Sequence, residues 1–207
     1  MALMTYDDLK TAVADWLERS DLAGRASDFI TLAEARLNRE LRLAVMEAEV
    51  RLTAAPGARR LELPADCREA LGLWREDGAV RVAMRYRPAG LLPRSDVGGR
   101  PDYWSLEGRA IVLDRPCDQE IGFVLRRVGR LALSAEAPTN AVLAEHPDLY
   151  LFAALAEACP YLRDGEMTGH FNARFEMALA QARAADARRH GMANLVTDLP
   201  RPETLPC

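Results

Sequence analysis

The chain has 207 residues, 49% of them hydrophobic and 28% charged, with a formal net charge of −4. That balance suits a soluble globular protein with one sizeable core, or one domain carrying an insertion. It speaks against an electrostatic grip on nucleic acid or an acidic membrane. All but one of the 27 basic side chains are arginines, the exception being Lys10. Arginine forms planar, multidentate contacts that suit interfaces, although a GC-rich coding bias is the plainer reading.

Residues 5–19, TYDDLKTAVADWLER, predict an amphipathic helix. Thr5 is the expected N-cap, Asp7 and Asp8 favour the first turn, and Leu9, Val13, Trp16 and Leu17 share one face. The segment DLAGRAS breaks the pattern. Ser27 or Asp28 then opens a second helix, DFITLAEARLNRELRLAV, with Phe29, Ala33, Leu37 and Leu41 on its apolar face. After about residue 46 the period shortens to that of strands. EAEVRLTA and RRLELP flank a PGA turn and read as a strand pair. EALGLWRE and AVRVAMRY flank Asp77-Gly78, PDYWSL and RAIVLD flank an EG turn, and both read as hairpins. QEIGFVLRRV is a further strand. Six or seven short strands over 46–130 predict a small antiparallel sandwich or barrel.

LALSAEAPT, residues 131–139, reads as a returning linker. Asn140 is placed to cap a short helix, and Pro147 fits the first turn of a longer one that Pro160 kinks or ends. A last helix is expected from Asp164 to Arg189, with Phe171, Phe175, Leu179 and Ala182 on one face. The remainder, GMANLVTDLPRPETLPC, is proline-punctuated and aperiodic, so it is expected to be extended or disordered alone. The fold expected is therefore α+β. A helical body from residues 1–45 and 131–190 surrounds an inserted antiparallel β domain, 46–130, and a tail follows over 191–207.

Catalytic constellations are not evident. His146 precedes a helix N-terminus, and His170 and His190 are too far apart for a helical metal pair. Cys67, Cys117, Cys159 and Cys207 form no CxxC pair and match no zinc spacing. They are read as reduced thiols, in keeping with an N-terminus that lacks a basic region and an apolar core for export. Gly98-Gly99 is not followed by a helix and fails as a phosphate cradle. Asp7, Asp8 and Asp15 read as helix-end and solvated carboxylates rather than a metal site. No catalytic residue, metal or cofactor is expected.

The stretch HPDLYLFAALAEACPYL, residues 146–162, is nearly all apolar. It is too short for a membrane span, which needs roughly 20 residues, and Glu157 and Pro160 interrupt it. On a helical wheel Leu151, Leu155, Cys159 and Leu162 fall together. Tyr150, Glu157 and Tyr161 line up opposite, flanked by Ala153, Ala154 and Ala158. This predicts a helix with two buried faces, in which Tyr150, Ala154, Glu157 and Tyr161 form a seam for a second helix or a neighbouring subunit. A buried Glu157 would need an arginine partner, from the second helix or from that neighbour. In the tail, Leu195, Val196, Leu199, Pro200 and Leu205 have too little apolar surface to fold alone but enough to dock on a partner.

The succession MTYDDLKTAVADWLERSDL, DFITLAEARLNRELR, LPADC, GRPDYWSLEGRAIVL and TNAVLAEHPDLYLFAALAEACPYL resembles the adaptor proteins of tailed phages. These are head-to-tail connector subunits related to tail tubular protein A of short-tailed phages. The resemblance covers nearly all of residues 4–185. Its most specific pieces are the HPDLYLF stretch with the preceding TNAVL, where Ala141 replaces an expected Trp, and the acidic YDDL. It implies a structural virion protein of the neck or tail, assembled in the host cytoplasm and without enzymatic activity. It implies a ring, a dodecamer, joined to the portal protein above and the tail nozzle or tail tube protein below. DNA would transit the lumen without specific binding, during DNA ejection, and no membrane is involved. A closed ring requires a head-to-tail interface between different flanks of each subunit. Two other readings stay open on the residues alone. One is a small cytosolic enzyme with a pocket around Glu157, the other an arginine-based nucleic-acid-binding module using Arg126, Arg127 and Arg130.

Overall fold

The computed structural model describes residues 3–195, which are α+β. The chain divides into two compact units, one from the residues up to Ala44 together with those from Leu131 onward, the other Val45–Arg130.

The first unit is helical. α1 (Tyr6–Trp16) starts at a reciprocal cap: Thr5 Oγ1 accepts from the Asp8 backbone N–H at 3.2 Å, and Asp8 Oδ2 accepts from that of Thr5 at 3.0 Å. Two otherwise orphaned donors are satisfied, an arrangement that stabilises by about 1 kcal/mol. α1 buries Leu9, Ala12 and Val13, but Trp16, expected on the core face, is half exposed. A 3-10 turn, Ser20–Arg25, leads into α2 (Ala26–Glu40), which buries Phe29, Ile30, Ala33, Glu34 and Leu37. α2 ends at Glu40 instead of reaching Val45. Beyond it Leu41 is extended, so Leu41 and Leu43 are both buried while Arg42 between them points out. In a helix, positions two apart face nearly opposite ways, so burying both leucines requires leaving the helix.

The chain re-enters this unit as a segment without regular secondary structure, bound to α2. Asn38 pairs with both backbone groups of Leu131, each at 2.9 Å. Asn140 caps α3 (Ala141–Glu145) by accepting from the Leu143 N–H at 2.9 Å. α4 (Pro147–Leu162) carries Pro147 in its first turn. It runs two residues past Pro160, to a left-handed Arg163 with φ of 58°. α5 (Gly165–Leu195) buries Phe171, Phe175, Leu179 and Ala182 as expected. It continues past Arg189 to Leu195, so 191–195 are helical rather than part of an extended tail.

The second unit is a sandwich of two four-stranded sheets, ordered β1-β8-β3-β4 and β2-β7-β6-β5. The strands are β1 (Glu47–Ala54), β2 (Arg60–Glu62), β3 (Cys67–Asp77), β4 (Val80–Ala83), β5 (Arg85–Tyr86), β6 (Tyr103–Glu107), β7 (Ala110–Leu113) and β8 (Ile121–Gly129). Leu73, Phe123 and Leu125 from one sheet meet Leu61, Trp104, Ile111 and Leu113 from the other in a shared core. The hairpins at Asp77-Gly78 and Glu107-Gly108 form as expected, with the glycines at φ of 62° and 61°, where a side chain would be strained.

Two expectations of pairing fail. β1 and β2 are not a hairpin, because β1 pairs with β8 (Glu47↔Val128 to Ala54↔Ile121) and β2 with β7. The intervening Gly57 and Ala58 bond instead to Cys117, at 2.7 and 3.0 Å, so the chain crosses between sheets there. The sandwich is also not wholly antiparallel. β5 runs parallel to β6 after the chain crosses at Met84, whose side chain lies in the core.

Candidate assembly surface of the helical unit

α4 packs against α1, α2, α3 and α5, which explains its uniform apolarity. Leu151, Leu155 and Cys159 are buried on one side, Tyr150 and Ala154 on the other. The seam is not buried along its whole length. Tyr161 is 57% exposed, resting on Phe29 with ring centroids 5.7 Å apart, and the Glu157 side chain is 30% exposed.

Glu157 does meet an arginine of the second helix. Arg36 Nη1 lies 3.9 Å from Glu157 Oε1. Arg36 is held more closely by others: Glu40 at 3.1 Å, Glu176 at 3.2 Å and Asn172 at 2.8 Å, with its guanidinium 4.0 Å above the Phe175 ring. A rigid, stacked fork fits this arrangement better than a lysine would. Arg36 thus joins α2, α4 and α5, with Glu157 its most distant carboxylate.

Within the described residues of the helical unit the buried carboxylate is Glu34, 8% exposed, which the sequence reading passed over. The signal was its position, four residues after Ile30 and three before Leu37, inside the apolar stripe of α2. Glu34 Oε1 accepts from the Leu133 backbone N–H at 2.7 Å and from the Tyr150 hydroxyl at 3.3 Å. The Tyr150 oxygen in turn accepts from Asn140 Nδ2 at 2.7 Å. Burial pushes Glu34 up to about 7, although both hydrogen bonds act the other way. Burial, followed by the adjacent Glu34 charge, raises the Tyr150 phenol well above its ordinary value. The partners of Glu34 and Tyr150 are a linker, a cap and each other.

In the sandwich, Arg126 binds Glu47 through two nitrogens at 2.9 and 2.6 Å, and Arg127 reaches Asp66 at 2.6 Å. Arg81–Glu49 at 2.8 Å and Arg51–Glu76 at 3.3 Å lie on the Arg126 face of the β1-β8-β3-β4 sheet, while Arg127 points to the other. A phosphate backbone would have to displace these carboxylates. Cys67, Cys117 and Cys159 are buried and unpaired, and burial raises each thiol, the opposite of a reactive nucleophile. Among the described residues, no group of three or more His, Cys, Asp or Glu is arranged to hold a metal ion, and no helix is long and apolar enough to cross a membrane. Of the expected docking positions, Leu195 is the last helical residue of α5, while Val196, Leu199, Pro200 and Leu205 lie outside the described residues.

The described residues thus combine helices knit by polar networks, a sandwich whose surface carries several arginine–carboxylate pairs, and buried thiols. The family model described as SU10 adaptor protein matches residues 4–197, and the chain belongs to that family of phage structural adaptors. No curated protein matches the chain.

Proposed function

We propose that the protein is a ring-forming adaptor subunit that joins the portal to the tail nozzle and forms part of the DNA channel. The family match across both compact units carries this reading. Copies assemble head to tail into a dodecamer, each flank meeting a different flank of its neighbour. Tyr150 and Ala154 are buried within the subunit, so the neighbour meets the seam only at its exposed end, through Tyr161 and the rim of Glu157. DNA transits the lumen without specific binding, in keeping with the net charge of −4 and the carboxylate-paired arginines of the sandwich.

The tail, with Leu195, Val196, Leu199, Pro200 and Leu205, docks on the portal. The test is reconstitution with the portal, imaged by electron microscopy, beside a pull-down with a chain lacking residues 196–207. Rings seated on portals, and loss of capture on truncation, are expected. Undiminished capture would remove the tail from the portal contact, and an absence of rings would overturn the adaptor reading.

A further inference from the structure

One apolar feature of the helical unit is unused by its core. Leu3, Ala12, Asp15, Trp16 and Leu151 line an open groove of about 350 Å³ between α1 and α4. Trp16 is its wall, 50% exposed, yet its indole is fixed by edge contacts to Phe152 and Phe171 at 5.9 and 6.2 Å. A half-exposed tryptophan held by two other rings is a preformed apolar surface, with little ordering cost left for a ligand. Asp15 supplies an exposed negative charge at the rim.

We infer that this groove takes the C-terminal tail of a second copy of the chain, with Leu199 and Pro200 against Trp16 and Arg201 against Asp15. The segment LPRP, residues 199–202, combines what the groove asks for: an apolar side chain, prolines and one positive charge. Proline-punctuated segments dock in extended form on aromatic-lined grooves because little chain entropy remains to be lost.

Reach decides which copy supplies the tail. Trp16 sits beside Phe171, near the start of α5, and from Phe171 to Leu195 the helix rises about 36 Å. From Leu195 to Arg201 the chain spans about 21 Å even when fully extended. Arg201 could meet Asp15 of its own chain only if the tail folded straight back along α5, fully stretched in backbone and side chain, so a second copy supplies the occupant at lower cost. The inference rests on the self-assembly part of the proposed function and not on its portal part. A tail seated in a neighbour is withheld from the portal, so the two contacts alternate.

The test is sedimentation equilibrium of the full chain with Asp15→Arg, with Arg201→Glu, and with both together. Asp15 is exposed, so the circular dichroism of the Asp15→Arg chain should be unchanged. Each single reversal should weaken self-association about fivefold, the scale of a rim charge pair made repulsive. The double variant restores the pair with its signs exchanged and should return to within about twofold of the native chain. Single reversals without effect, a double variant as weak as the singles, or a native chain that stays monomeric would each overturn the inference. Portal capture by the same variants reads the portal contact separately, so failure of one reading is not mistaken for failure of the other.

Discussion

The Glu34 carboxylate and the Tyr150 hydroxyl stand 3.3 Å apart, one on α2 and one on α4, both buried. Around them the network extends to the Leu133 backbone and to Asn140, the cap of α3. Two helices, the returning linker and a helix N-terminus are thereby held in one register by a polar network whose centre, Glu34 and Tyr150, is buried.

The first prediction concerns pH. Glu34 is raised in the folded chain to about 7 from an ordinary 4.5. Between those values the folded state holds a proton that the unfolded state has released. Stability is therefore greatest below the unfolded value and is lost as pH rises through 4.5 to about 7. The loss from this group is on the order of 2–3 kcal/mol. Urea unfolding across that range should show the slope, and Glu34→Gln, which stays neutral, should flatten it.

Removing the phenolic oxygen with Tyr150→Phe leaves Asn140 Nδ2 without its acceptor and Glu34 without one donor. The expected cost is about 1–3 kcal/mol, read as a lower urea midpoint at unchanged m-value. In a double-mutant cycle with Glu34→Gln the two changes should be non-additive, because they share one network. Additive effects would mean that the pair does not act together.

Arg36 should matter much more than Glu157. Arg36→Ala strands Glu40, Glu157 and Glu176 near one another and uncovers Phe175, at a cost of about 2 kcal/mol or more. Arg36→Lys should recover little, since one ammonium cannot reproduce the fork or the stacking. Glu157→Gln should cost under about 1 kcal/mol, as suits a partly exposed partner at long range. Thermal melts of the three variants at one pH test this ranking, and equal losses would contradict it.

In the sandwich the sensitive carboxylate is Asp114, 2% exposed. Its Oδ1 accepts from the backbone N–H groups of Asp102 and Tyr103, each at 3.1 Å, and its Oδ2 from Arg115 Nε at 3.1 Å. Asp114→Ala leaves two backbone donors unpaired where the chain enters β6. It should destabilise by about 2–4 kcal/mol. Hydrogen exchange should speed up first at Asp102 and Tyr103; protection unchanged at both would show that they are satisfied otherwise.

Much of the local structure was legible because local chemistry decides it. Thr5 and Asn140 cap because a short oxygen-bearing side chain can reach the orphaned N–H groups of the first turn. Gly78 and Gly108 mark hairpins because only glycine turns there without strain. Phe171, Phe175, Leu179 and Ala182 are buried because they recur on one helical face. Pairing between distant strands has no such local signature. The PGA turn looked like a hairpin, yet β1 found its partner in β8, far along the chain, through burial of Leu73, Phe123 and Leu125 in a core shared with the opposite sheet.

The candidate site divides the same way. Glu157 drew notice because it interrupts the most apolar stretch of the chain, and its arginine lies on α2 at 3.9 Å. Which carboxylate is buried depended on what covers each one. Glu157 lies at the rim where α2, α4 and α5 meet, so water still reaches it. Glu34 is buried against the returning linker, where it accepts from the Leu133 backbone N–H and from the Tyr150 phenol. The sequence by itself determined the elements, their caps and turns, and the family, all of which rest on neighbouring residues or an ordered series of motifs. Only the tertiary structure decided strand partners, the burial of Glu34 and the exposure of Trp16, because each depends on segments that meet in space after long separation along the chain.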